Sequence, residues 1–182
     1  MALIFTTSYL EDARAIFRYY KKLADGAIAQ VSDADLTRTL DPEMNSVAIV
    51  MKHLSGNMLS RWTDFLTSDG EKSTRNRDRE FENPPSSRAE LLALWERGWE
   101  CLFHAIDPLT DADLTRSVTI RGEAHSVTQA INRQVAHISY HVGQIVMLAK
   151  HFQSANWKSL SVPRGQSQQF TEKVRSGHAS QR

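Results

Sequence analysis

Two histidines one helical turn apart, His137 and His141 in "HISYH", interrupt a stretch that otherwise reads as a buried helix, "VTQAINRQVAHISYHVGQIVMLAKHF". Residues at i and i+4 hold their Cβ atoms about 5–6 Å apart, so two imidazole nitrogens can converge there on one ion at about 2.0–2.1 Å. Since the chain has seven histidines, an HxxxH pair arises in roughly one shuffled sequence in four, and the pair alone decides little. Histidines satisfied within a core are the competing reading.

A third histidine supplies context. In "MKHLSGNMLSRW", His53 falls between Val50 and Leu54 on a strongly apolar segment, and Gly56 and Asn57 follow where a Lys or Glu would mark an exposed side. Gly56 costs helix stability unless something must approach closely. Three histidines from two facing helices make a His₃ site with open positions, the arrangement of a catalytic centre rather than a closed structural one. Asn57, Gln134 and Gln144 flank these ligands. They either orient substrate and bound water or hydrogen-bond buried backbone and one another, and the sequence leaves both readings open.

No residue stands out as a general base, so no catalytic residue is assigned; the missing Glu of an HExxH motif argues against a zincin-like peptidase. Cys101, alone in an apolar run, reads as a small core hydrophobe ahead of a nucleophile. His104, His125, His151 and His178 lack a comparable arrangement and read as surface or satisfied residues.

Helices must position these groups, and four long amphipathic patterns are present, near 8–30, 46–66, 87–107 and 126–152. Ser8 with Glu11 and Ser87 with Glu90 have capping-box spacing, Asn45 or Ser46 can open the second helix, and Pro108 stops the third. At about 100° per residue, Ile131, Val135, Ile138, Val142, Ile145 and Ala149 form one stripe of the last helix. Ala130, Gln134, His137, His141, Gln144 and Leu148 form a second stripe beside it, which places the histidines on the flank of the buried face. The expected fold class is all-α, a four-helix bundle with a long crossover, residues 67–86, between helices two and three.

"SDADLTRTL" at 32–40 and "TDADLTRSV" at 110–118 nearly repeat, which fits either a duplicated helical half or two independent acidic caps. The second copy is followed by an extra turn, "TIRGEAH". The crossover, with its mixed charge and paired prolines, is either an ordered link or a disordered loop. The expected domain spans residues 1–156. The tail, 157–182, carries Trp157, Leu160, Val162 and Pro163 and is expected to pack on the bundle or on a partner subunit. Its Arg164 reads as a surface ion-pair partner, with capture of an anionic substrate the second reading.

Lys plus Arg (22) and Asp plus Glu (21) nearly cancel over 182 residues, so nothing points to nucleic acid. One cysteine supports no disulfide framework, and neither a signal peptide nor a membrane-spanning run is evident. A soluble, cytoplasmic protein is expected, and the apolar tail and aromatic third helix suggest a homodimer.

The stretches "HLSGNMLSRW", "INRQVAHISYHVGQIVMLAKH" and "WKSLSVPRGQS" resemble the DinB-like (YfiT-like) superfamily of metal-dependent helical-bundle enzymes, in an uncharacterised bacterial branch, over nearly the whole chain. The resemblance implies a divalent metal held by His53, His137 and His141. It further implies a transferase using a low-molecular-weight thiol such as bacillithiol or mycothiol, or a hydrolase, acting on a small molecule with Zn, Ni or Fe as cofactor. The alternative is a non-catalytic metal-binding or stress-related interaction protein, since a shared site hosts several chemistries.

Overall fold

Each of the four long helices opens on a serine. In the computed structural model, which describes residues 8–180, Ser8, Ser46, Ser87 and Ser126 have extended backbone and accept a hydrogen bond from the N–H three residues on. Each such cap satisfies an otherwise orphaned donor and contributes about 1 kcal/mol. The helices are α1 (Tyr9–Ile28), a short α2 (Asp33–Thr37), α3 (Val47–Trp62), α4 (Arg88–Ile106), α5 (Val127–Gln153) and α6 (Ser167–Arg175). Two strands, β1 (Ser117–Ile120) and β2 (Glu123–Ser126), form an antiparallel hairpin directly before α5.

The structure differs from the sequence expectation in several details. The second long helix ends at Trp62 rather than near 66, because Thr63 leaves helical geometry and Asp64 adopts a left-handed φ of 47°. At Ser87 the capping box is half formed: Glu90 takes the serine hydroxyl at 3.0 Å instead of the serine backbone N–H. The extra turn "TIRGEAH" is the hairpin, an element with no counterpart after the first repeat. Its tip residues Arg121 and Gly122 have φ of 56° and 77°, the all-positive pattern that suits right-twisted strands.

Asp69, in the connection after α3, accepts from the backbone N–H groups of Arg121 and Gly122, both at 2.8 Å. Gly70 donates to Thr119 at 2.7 Å. The crossover is therefore tied to the hairpin, and within it a 3-10 turn, Asp78–Phe81, lies against α3. The expected domain start and the end of the tail lie outside the described residues.

The most extensive helix contacts are α3 with α4 and α1 with α5, and α3 also faces α5. One core runs through them, built on Phe17, Met51, Leu54, Trp62, Trp95, Trp99, Ile131 and Ile138. Burying each such side chain stabilises by about 1.5–3 kcal/mol. Arg14 of α1 donates to the carbonyls of Ile106, Asp107 and Leu109, and Arg88 of α4 to those of Ile28 and Val31. Each arginine thus serves the C-terminal end of a neighbouring helix, where carbonyls lack internal partners.

Beyond α5, Trp157 and Leu160 pack against the core. Gln30 brackets the Lys158 backbone with bonds of 3.1 and 2.8 Å. No described helix is long and apolar enough to cross a membrane.

Gly98 sets the α3–α4 spacing, since a Cβ there would meet Ser55 Cα at 2.9 Å and Met58 Cε at 3.0 Å. Alanine is intrinsically better than glycine in a helix by about 1 kcal/mol. Gly98→Ala should nevertheless lower stability by roughly 1–3 kcal/mol in urea denaturation, because the helices must separate. A stability equal to or above wild type would show that the approach is not needed.

Candidate metal centre

His53 lies on the face of α3 turned toward α5, where His137 and His141 sit one turn apart. Their ligand nitrogens all fall within 4.8 Å of one another, and Nε2 of His53 is 3.1 Å from Nε2 of His137. His53 and His141 are buried, at 3% and 8% exposure, and His137 is half-buried. The three histidines chosen from the sequence thus gather in one cluster, from the two helices expected to carry them.

What sets the rings is the hydrogen bonding of their other nitrogens. His53 Nδ1 lies 2.9 Å from Glu80 Oε2; a carboxylate only accepts, so Nδ1 carries a proton, and in the neutral ring Nε2 is the nitrogen with the bare lone pair. His141 Nδ1 is 2.7 Å from Gln144 Oε1, which leaves its Nε2 bare by the same logic. Two ring nitrogens only 3.1 Å apart need a proton or a cation between them. Nitrogens bound to one ion at about 2.0–2.1 Å lie roughly 2.9–3.4 Å apart in octahedral or tetrahedral arrangements, so the observed separation fits a shared ion.

The electrostatics favour neutral rings at His137 and His141. Burial, followed by the fields of His141, His53 and Arg75, pushes the His137 pKa down to about 3. Burial also lowers that of His141, against the hydrogen bond to Gln144. A neutral imidazole is the ligating form. A divalent cation therefore suits the donor types and the neutral state of His137 and His141.

Glu80 was not legible in the sequence. It belongs to the 3-10 turn of the crossover, is 6% exposed, and is held by a two-point pair from Arg75, Nε to Oε1 at 2.7 Å and Nη2 to Oε2 at 2.9 Å. Burial raises its pKa, but the hydrogen bonds from His53 and Arg75 outweigh that and leave it below the ordinary carboxylate value. Phe81 of the same turn stacks on the His53 ring, centroid to centroid 4.6 Å.

The turn is fixed in turn by Lys52, which donates to the carbonyls of Arg79 and Glu82. Gly56 now has its reason: a Cβ there would lie 2.5 Å from Glu80 Oε1. The long connection is thus an ordered support for His53. The signal available beforehand was Gly56, a glycine in an apolar helix without a visible neighbour.

The histidines open onto a cavity of about 650 Å³. Asn57 and Gln134 line it, at 7% and 3% exposure. Neither amide bonds to backbone or to the other, and Asn57 Oδ1 and Gln134 Nε2 are buried with no partner. Gln144 is committed to His141. Cys101 packs beside Thr63, with Sγ to Oγ1 at 3.4 Å, and does not line the cavity. His104, His151 and His178 are exposed, and His125 bonds the Glu123 carbonyl, so none joins the cluster. Arg164 lines a separate cavity with Tyr19 and Trp157, which removes it from the histidine site.

Residues 4–166 match the family profile described as "Protein of unknown function (DUF1572)", a span that includes the three histidines, Glu80 and the hairpin. No curated protein and no solved structure matches the chain.

Breaking a buried ion pair by removing one partner costs about 3–5 kcal/mol, because the other charge is stranded. Glu80→Ala should therefore destabilise the protein by several kcal/mol in chemical denaturation, moderated by the remaining Arg75–Glu71 contact at 3.0 Å. A loss below about 0.5 kcal/mol, the range of ordinary surface substitutions, would show that the pair is not structural.

Proposed function

We propose, on the premise that the chain belongs to the DUF1572 family of proteins of unknown function, that it is a divalent-metal-dependent enzyme acting on a small molecule. In this reading the four long helices α1, α3, α4 and α5 form a DinB-like four-helix bundle ending near residue 156, with residues 157–180 as a tail folded on it. His53, His137 and His141 hold the metal. The observation that carries the reading is the direction of the ring nitrogens: Glu80 and Gln144 occupy Nδ1 of His53 and His141, and both Nε2 lone pairs are left for an ion.

A bound Zn, Ni or Fe ion would supply Lewis acidity that makes a water or a substrate thiol nucleophilic near neutral pH. Glu80 holds His53 in the ligating tautomer and orients its ring, the role that a carboxylate behind a metal-bound histidine commonly has. Asn57 and Gln134 offer unpaired amide groups to a substrate within the cavity. Tyr140, 64% exposed at the rim, stacks edge-on against His141 with centroids 4.8 Å apart and borders the entrance. Among the reactions such a site performs, a thiol-dependent S-transfer or a hydrolysis matches a His₃ centre beside an open polar cavity. A non-catalytic metal-binding role would call for a saturated ligand set, whereas three histidine donors converge among the described residues.

Metal analysis of purified protein tests the reading. Wild type should carry close to one Zn, Ni or Fe per chain. His141→Ala should lose metal affinity at least tenfold, and His151→Ala should keep it. A screen with several low-molecular-weight thiols and with hydrolysable esters and amides should then yield turnover that chelation abolishes. Equal metal content in wild type and His141→Ala would defeat the site and the enzyme reading together.

A further inference from the structure

The stripe of α3 that carries His53 continues with Asn57 and Arg61 at steps of four, so the three side chains follow one another along the helix. Eight residues of α-helix span about 12 Å. Opposite them on α5 stand His141, His137 and Gln134, with Arg133 beside them, and the cavity of about 650 Å³ runs along both rows. Its floor therefore changes character along its length, from histidines to unpaired amides to arginines. Ile120, brought by the hairpin, is 5% exposed and lies at the arginine end.

The charge lining the cavity is unbalanced. Arg61, Arg75, Arg77, Arg121 and Arg133 border the cavity, and no Asp or Glu does. The nearby carboxylates are already committed: Glu80 to Arg75, and Glu71 to Arg75 and Arg121. Arg61 has no hydrogen bond or ion pair among the described residues, and its Nη1 is buried without a partner. Burial lowers the Arg61 pKa, and Arg75, Arg133 and Arg121 add to the effect against Glu71 alone. A guanidinium withdrawn from water without an acceptor is costly, and a planar oxyanion is the partner that its fork fits. Whole-chain charge conceals this, since it nearly cancels.

We infer that the cavity binds a small substrate bearing an oxyanion, a carboxylate or a phosphoryl group, with the anionic end on Arg61 and Arg133 and the polar middle between Asn57 and Gln134. The assignment of the reacting end to the histidines rests on the metal-enzyme reading above; the anion subsite does not. The unpaired amides are the second observation that points to a ligand. Each is more than nine-tenths buried and each lines the cavity, so a ligand that hydrogen-bonds them recovers what their burial costs. A neutral ligand would fill the same volume and leave Arg61 unpaired, which is the basis of discrimination.

Isothermal titration with glutarate, its neutral analogue glutaramide and inorganic phosphate, on the full chain before and after chelation, tests this. Glutarate or phosphate should bind at least tenfold more tightly than glutaramide. Arg61→Met should weaken the better anion at least tenfold while metal content stays at the wild-type level. Should Arg61→Met not fold, Arg133→Ala, an exposed position, should weaken the same anion several-fold and steepen no salt dependence. Tighter phosphate than glutarate assigns a phosphoryl group, and the reverse assigns a carboxylate. Arg61-dependent anion binding in protein that carries no metal as purified and takes up none when Zn, Ni or Fe is added would keep the subsite and reject the metal reading. Equal affinity for glutarate and glutaramide, or anion affinity unaltered by both substitutions, would overturn the proposal.

Discussion

The buried chain Arg75–Glu80–His53 is the interaction on which the rest of the site depends. Desolvating an arginine and a carboxylate together is expensive, and the cost is offset only when their hydrogen-bonding capacity is filled. Here it is filled from several sides: Arg75 gives two bonds to Glu80 and one to Glu71, and the remaining acceptor direction of Glu80 goes to His53. The result ties an irregular connection to α3 and fixes the tautomer of a buried imidazole. Gly56 is the steric condition for it, because any side chain there would enter the volume of the carboxylate.

The other wall of the site follows from α5. Its apolar stripe, Ile131, Ile138, Val142 and Ile145, is buried in the core, and the neighbouring stripe carries the polar groups at the edge of that core rather than in solvent. Positions on this flank lose water without gaining apolar contact on all sides, so polar side chains there need partners. His141 obtains one from Gln144, and the rings of His137 and His141 meet edge-on with centroids 4.7 Å apart. Asn57 and Gln134 do not obtain one from the protein. Stability and function pull apart at such positions, and local rules of satisfaction fail where a site needs free groups.

Much of this was readable from the sequence because it is periodic. Ser8, Ser46, Ser87 and Ser126 announce the helices, and the spacing of His137 and His141 against Ile138 and Val142 places both rings on a flank. His53 stood out only as a polar residue in an apolar run, yet the facing of α3 and α5 brings it to the pair. Glu80 and Arg75 were hidden because the crossover has no period, and mixed charges in a loop read as solvated. Arg61 was within reach, one turn beyond Asn57, but an arginine near a helix C-terminus has an ordinary explanation in the helix dipole. The hairpin was missed because the four-residue strands are too short for alternation to register, although "RG" between "SVTI" and "EAHS" has the turn composition.

The central claim is that three imidazoles, preset by Glu80 and Gln144, hold one divalent ion. Anomalous diffraction at the metal edge, from crystals of the metal-loaded protein, tests it most directly. The account predicts a single strong peak about 2.0–2.2 Å from Nε2 of His53, His137 and His141, with the His53 Nδ1 to Glu80 bond intact. A peak bound elsewhere, or a loaded protein in which His53 is turned away from the other two rings, would contradict it.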